Sequence, residues 1–316
     1  MIMNVSNTRD DRCMLNWGTH NGIFHCDEVV AIAILEVTYA ERLINVVRTR
    51  DPQELEQLDL VVDIGGGMFD HHMAGFNVRR ITGEKYASAG LVWKNFAEKA
   101  IKSVMDDIQI FIDDDEIEKV KQRIDKEVMI PVDMEDNGER EENSSHIFSF
   151  IPKFLPSWME KPDYQAYDVT FRQVETIVRD ILWEIIRDTI VQIATRKELE
   201  MRYDHIKDGI LEIPAQTMPW MEQVVNYNKV HNNEVKFVIF RYPAGGWAAQ
   251  CVPPSVEERF KQLVPFPKEW AGGNEKTLPK ISGIKEATFC HNGCFFARAR
   301  TKYAIIKMCQ VAMNKA

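Results

Sequence analysis

The 316 residues carry 48 acidic against 39 basic side chains, a formal net charge of −9. That balance disfavours a protein that coats long nucleic acid, which must neutralise many phosphates with Lys and Arg. It suits one that holds divalent cations on carboxylates. The length predicts two units, each able to bury its own core, and 45% hydrophobic with 28% charged residues is the composition of an ordinary globular chain.

No segment reaches the apolar length of a membrane span. The first dozen residues, MIMNVSNTRDDR, lack both an apolar stretch and a small-residue cleavage site, so no secretory signal is expected and a cytoplasmic location follows. The sequons at Asn4 and Asn143 then carry no meaning. Six cysteines without framework spacing fit reduced thiols better than disulfides. Cys290, His291 and Cys294 could open a zinc site, but no second close pair follows and Cys251 stands alone, so a structural zinc is not expected.

In chain order, the first 65 residues alternate in a βαβ manner and predict a parallel sheet. Residues 13–18 form its first strand, 27–43 a helix, 44–50 a second strand and 58–66 a third. Residues 86–105 repeat their apolar positions at helical spacing, and the charge-rich 106–126 does so through Ile108, Phe111, Ile112, Ile117, Val120 and Ile124, as a helix or helical hairpin would. Residues 138–167 read as an irregular connection. The strongest periodicity lies in 168–202, predicting one long amphipathic helix that could bridge two domains or line a homodimer contact. Strands are then predicted at 210–214, 235–243, 246–252 and 287–296, and a closing helix at 302–313. Trp220, Trp247 and Phe295 suit core packing better than base stacking.

The candidate chemistry gathers at strand ends. His20, His25 and Asp27 occupy the turn after the first strand and the start of the next helix, where ligands bind in an open α/β sheet. Asp63 interrupts the third apolar run, where an unpaired carboxylate is costly and needs a cation or strong donors such as Arg48 or Arg50. Asp70, His71 and His72 follow the Gly65-Gly66-Gly67 turn, with Asp70 placed to orient an imidazole. Asp133 and Asp136 add further carboxylates before the Asn137-Gly138 turn. Each piece alone has an ordinary reading as cap, ion pair or solvated loop. Together they combine imidazole and carboxylate without thiolate, which suits Mn²⁺ or similar ions, and two ions about 3.5–4 Å apart could activate water and clamp a phosphoryl group.

The segments GTHNGIFHCDE (18–28), VVRTRDP (46–52), VVDIGG (61–66), DHH (70–72), SAGLVW (88–93), VDMEDNG (132–138), MPW (218–220), GGWAAQCVP (245–253) and the region 282–295 carry a resemblance over nearly the whole chain. In this order they resemble the DHH phosphoesterase superfamily and, within it, the Myg exonuclease-like branch. The resemblance implies an α/β fold: a Rossmann-like parallel-sheet DHH domain (1–165), a long connecting helix (166–205) and a smaller substrate-gripping α+β domain (206–316).

It also implies two divalent ions, Mn²⁺ or Mg²⁺. One would be held by His20, His25 and Asp63, the other by Asp27, Asp63, His71 and Asp136, with Asp63 bridging. His72 would face the substrate phosphate and Asp70 would support the histidine pair; Asp133 matches the pattern without being expected as a ligand. Relatives usually carry Gly-Gly where this chain has Phe296-Ala297-Arg298, so Arg298 and Arg300 are candidate phosphate contacts. The implied activity is 3′→5′ exonucleolytic cleavage of RNA or short oligonucleotides. Pyrophosphate or cyclic dinucleotides are alternative substrates, a non-catalytic nucleotide-binding module and a protein with one structural ion are alternative classes, and no membrane partner is expected.

Overall fold

The computed structural model describes residues 14–140 and 144–315. Cys13 and the sequons at Asn4 and Asn143 lie outside the described residues. The chain is an α/β protein divided into two compact units, Met1–Ile190 and Val191–Ala316.

In the first unit β1 (Leu15–Thr19), α1 (Cys26–Thr38), β2 (Ile44–Arg48), α2 (Pro52–Leu55) and β3 (Leu60–Val61) build a three-stranded parallel sheet in the order β2-β1-β3. The run from Val29 to Leu35 is fully buried. A helix that is apolar on every side must be covered all round, and α1 packs along α3 (Ser88–Ile108). The charge-rich stretch resolves into the end of α3, a loop and α4 (Asp114–Ile124), which Asp113 and Glu116 cap reciprocally and which buries Ile117, Val120 and Ile124. A π-helical turn, Asp125–Met129, leads into α5 (Ile130–Asp136). The described residues of 138–140 and 144–163 are mostly irregular, with short 3₁₀ turns at Ile151–Phe154 and Trp158–Glu160.

The long helix, α6 (Tyr164–Tyr203), begins four residues before its predicted start. Phe171, Val174, Val178, Leu182, Ile186 and Ile190 form its buried stripe in the first unit, at the three- and four-residue steps that gave it away in the sequence.

The second unit is α+β. It contains β4 (Ile210–Glu212), α7 (Met221–Val230), β5 (Phe237–Arg241), β6 (Trp247–Cys251), α8 (Leu278–Ser282), β7 (Ala287–Cys290), β8 (Phe296–Ala299) and α9 (Lys302–Lys315). The sheet order is β4-β5-β6-β8-β7; β4 and β5 are parallel and the other pairs antiparallel. Alternation splits the sheet into two faces. Phe237, Ile239, Ala249, Ala297 and Ala299 pack with Ile305, Met308 and Cys309 of α9, whereas Val238, Phe240 and Ala248 pack with Val224 and Val225 of α7. Trp220 belongs to the second core, Trp247 is packed against the first, and Phe295 lies on His291 with ring centroids 4.3 Å apart.

Two predicted strands are corrected. The third does not run to Gly66 but ends at Val61, because the backbone at Asp63 turns into the left-handed region at φ 63°. The stretch 287–296 is not one strand but most of a hairpin, β7 and β8, reversed through His291–Phe295 around Asn292-Gly293, a dipeptide that favours such turns.

Candidate metal centre

Because β1 lies between β2 and β3, the chain leaves its carboxyl end at the point where the strand order reverses, which opens a crevice there. His20 follows β1 directly, and Asp63 stands two residues beyond β3. The Asp63 N–H donates to the Phe69 carbonyl at 3.0 Å and Val62 bridges Phe69, closing a small loop that returns Asp70, His71 and His72 to Asp63. Asp70 ties that loop: its carboxylate accepts from the Gly66 N–H at 2.8 Å and the His72 N–H at 2.9 Å.

His25 is the N-cap of α1, and the Glu28 carboxylate accepts from its N–H at 2.8 and 2.9 Å. The same carboxylate lies 3.1 Å from His20 Nε2, which is also 3.4 Å from Asp63 Oδ2. On the other side of Asp63, His71 Nδ1 and His72 Nδ1 each lie 3.2 Å from Asp63 Oδ1, and Ser88 Oγ donates to that oxygen at 2.9 Å. His71 Nε2 meets Asp136 Oδ2 at 2.8 Å, and Asp27 Oδ2 is 3.8 Å from His71 Nδ1.

Among the described residues, three overlapping groups place ligating atoms within 4.8 Å of one another: His20, His25, Glu28 and Asp63; Asp63, His71 and His72; and His25, Asp27 and Asp136. Asp63 and His25 each belong to two groups. Asp70 belongs to none; it orients His72, lying 3.3 Å from its Nδ1. Asp133 is turned away into a buried pair with Arg80 at 2.7 Å. Cys290 and Cys294 are free buried thiols outside these groups.

The donor set suits hard divalent cations. Asp27, Glu28 and Asp63 are almost wholly buried, and Asp27 Oδ1 and Asp63 Oδ2 have no hydrogen-bond partner of proper geometry. Carboxylate oxygens so placed are costly unless positive charge meets them. Protonated imidazoles supply it in the metal-free chain. Burial alone would lower His20, but Asp63 and Glu28 raise it to about 9; His71, lowered by burial, is raised to about 9 by Asp136 and Asp63. Burial would lift Asp63, yet the neighbouring imidazoles of His20 and His71 hold it below the usual carboxylate range. Asp27 goes the other way, pushed up by burial and by the charges of Asp63 and Asp136.

Arg298 and Arg300 belong to the second unit. Arg298, on β8, lies over the Tyr242 ring at 4.4 Å, and Arg300 makes an exposed ion pair with Glu275 at 3.5 Å. Glu28 and Ser88 are the polar groups of the cluster that sequence reasoning missed. Glu28 had a signal, standing three residues after the helix cap; Ser88 had none, since only the fold brings the start of α3 to Asp63.

Residues 16–313 match the profile of the MYG1 exonuclease family, described as "Uncharacterised protein family (UPF0160)". The chain belongs to this family. The MYG1 exonuclease of Rattus norvegicus is 27% identical over 94% of this chain and 84% of its own length, and that of Homo sapiens 26% over 94% and 85%. A MYG1 protein of Saccharomyces cerevisiae is 24% identical over 93% of this chain and 94% of its own. The family match spans every residue of the candidate ligand groups, from His20 to Asp136.

Proposed function

We propose that this MYG1 family member is a divalent-metal-dependent phosphodiesterase, an exonuclease acting 3′→5′ on RNA or short oligonucleotides. The observation that carries the reading is Asp63, a buried carboxylate common to two ligand groups, with one oxygen unpartnered and imidazoles on both sides. The name of the mammalian relatives supports the exonuclease part. The Asp-His-His triple supports placing the family in the DHH superfamily.

Two ions at this cluster, Mn²⁺ or Mg²⁺, would supply Lewis acidity that acidifies water and neutralises phosphoryl charge. The chain's residues divide the remaining work. Asp63 would bridge; His20 and His25 would complete one site, and Asp27, His71 and Asp136 the other. His72, whose side chain is 56% exposed while still 3.2 Å from Asp63, is placed to meet a substrate phosphate, with Asp70 fixing its backbone and ring. Glu28 meets the same His20 nitrogen as Asp63, the other ring nitrogen contacting the Asn21 carbonyl at 3.2 Å, so it would join His20 and His25 as a further ligand of the first site. Arg298 in the second unit would take a phosphate. The nitrogen and oxygen donors without thiolate support Mn²⁺.

Among the described residues no helix is long and apolar enough to cross a membrane. Free, buried cysteines support a reducing, cytoplasmic setting, and the exposed Val169 and Ile177 on α6 support a homodimer.

The test is hydrolysis of a 3′-labelled oligoribonucleotide by chelator-stripped protein. Mn²⁺ should restore turnover, and Asp63→Ala should reduce it to background. Full turnover by that variant would sink the bridging role, and binding without turnover by the wild type would make the chain a nucleotide-binding module. Running DNA, dinucleotides, cyclic dinucleotides and pyrophosphate alongside separates the substrate classes.

A further inference from the structure

Four residues, Asn21 to Phe24, separate the candidate ligands His20 and His25. Among the described residues none of their N–H groups donates a hydrogen bond, so the shape of this loop must be fixed by other contacts. Phe24 is one anchor, buried edge-on against Phe171 of α6 with ring centroids 5.6 Å apart. The buried Gly22 is the other: its carbonyl accepts from Arg48 Nη2 at 2.9 Å. Between them and the first ligand, the Asn21 carbonyl contacts His20 Nδ1 at 3.2 Å.

Arg48 reaches the loop from the neighbouring strand. It ends β2 in register with Thr19, the residue before His20. Its guanidinium spans three partners, with Nη2 on Gly22, Nη1 on Asp168 Oδ1 at 2.8 Å, and the Phe171 ring centroid 4.4 Å from its central carbon. The Arg48 side chain is 2% exposed, whereas that of Asp168 is 43% exposed. A pair with one partner in water contributes little, a buried guanidinium is costly, and Nε finds no acceptor at all. Stability alone does not call for arginine here. Its planar fork does something else, because two fixed N–H edges hold the first turns of α6 and the loop in one geometry.

We infer that Arg48 is a positioning residue for the metal centre, clamping the Gly22 carbonyl so that the loop presents His20 and His25 to one divalent cation. The route runs through Asn21. With the loop held, the Asn21 carbonyl accepts from His20 Nδ1–H, which fixes the tautomer whose Nε2 is free for a metal beside Glu28 and Asp63. The inference rests on the proposed function for the cation, and on geometry alone for the clamp.

The experiment compares the full-length wild type with Arg48→Met, Arg48→Lys and Asp168→Asn. Urea melts in EDTA report global stability. Chymotrypsin in EDTA reads the loop, since cleavage after Phe24 requires that residue to leave the core. Calorimetric titration with Mn²⁺ reads the ligands. Arg48→Met keeps an apolar stem between Phe24 and Phe171 but strands the Gly22 carbonyl, which must move to reach water. Mn²⁺ affinity should fall about tenfold or more, and cleavage after Phe24 should accelerate beyond what the urea midpoint accounts for. Arg48→Lys, with a charge but no fork, should recover part of both losses. Asp168→Asn keeps an oxygen for Nη1 and should change Mn²⁺ affinity by no more than about twofold. Wild-type Mn²⁺ affinity in Arg48→Met, or cleavage that merely tracks global stability, would overturn the clamp; if that variant does not fold, the same two readouts on Arg48→Lys decide. A wild type that binds no Mn²⁺, with the loop still released by Arg48→Met, would overturn the proposed function and leave Arg48 as the clamp of the loop.

Discussion

At the scale of single residues, Glu28 shows how one side chain serves two elements. It closes the capping box of α1 by accepting from the His25 N–H, and it pairs with the His20 imidazole at 3.1 Å. Gln at this position keeps a carbonyl oxygen for the cap while removing the negative charge that steadies the imidazole. Glu28→Gln should therefore fold normally yet bind Mn²⁺ about tenfold more weakly, because a neutral amide replaces a negative oxygen donor in the ligand group. Glu28→Ala should add a cap loss of about 1 kcal/mol. Calorimetric titration with Mn²⁺ and thermal melting in EDTA separate the two effects. Unaltered Mn²⁺ affinity in Glu28→Gln would confine the residue to capping.

At the scale of elements, the position of Asp136 depends on how α5 is seated. Gly90, in the first turn of α3, donates its N–H to Asp133 Oδ1 at 2.9 Å, and Arg80 holds the other oxygen at 2.7 Å while also binding Asp125. A Cβ on Gly90 would come within 1.9 Å of Asp133 Oδ2 and 2.6 Å of an Arg80 nitrogen. Arg80 cannot retreat without leaving two buried or half-buried carboxylates unpaired, so the strain falls on α5. Gly90→Ala should cost about 2 kcal/mol or more in a denaturant melt and weaken Mn²⁺ binding through the displaced Asp136. Unchanged stability would show that the pair can shift at little cost.

This dependence also explains what the sequence could and could not reveal. Apolar runs made β1, β2, α3 and α6 readable, and placement at strand ends made His20, His25, Asp27, Asp63, His71, His72 and Asp136 readable as candidates. The left-handed turn at Asp63 was not readable, because Asp tolerates both sides of φ and the run Leu60–Ile64 looks like strand throughout. Ser88 and the Gly90-Asp133-Arg80 seat are contacts between segments 25 to 53 residues apart, which no local pattern encodes. The β7-β8 reversal had its signal in Asn292-Gly293, masked by the apolar residues around it. The ten residues of α7 bury only Val224, Val225 and Asn228, too short a stripe to mark a helix.

At the scale of the whole molecule, the cluster links stability to pH and, on the proposed function, to cations. His20 and His71 stand at about 9 in the folded, metal-free chain against an ordinary 6.5, so folding binds their protons more tightly. Their stabilisation is whole below pH 6.5 and disappears as pH climbs through 9. Asp27, raised by burial, acts in the same direction, as does Glu36, which burial and the neighbouring Glu175 push to about 9. Asp63, held low, loses its contribution only in acid, outside this window. In EDTA the Tm should therefore fall as pH rises from 6.5 to 9. Mn²⁺ reverses the cluster's share, because imidazole must lose its proton before it can bind a metal. The Tm gain from a fixed excess of Mn²⁺ should then grow across the same interval, reaching about 2.7 kcal/mol of stabilisation where the free ion stands at a hundred times its Kd. Glu36 lies outside the ligand groups and should titrate alike with and without the ion. Scanning calorimetry at matched ionic strength reads both trends. A Tm that rises with pH in EDTA, or a Mn²⁺ gain that shrinks over that interval, would mean that protons and metal do not compete for His20 and His71.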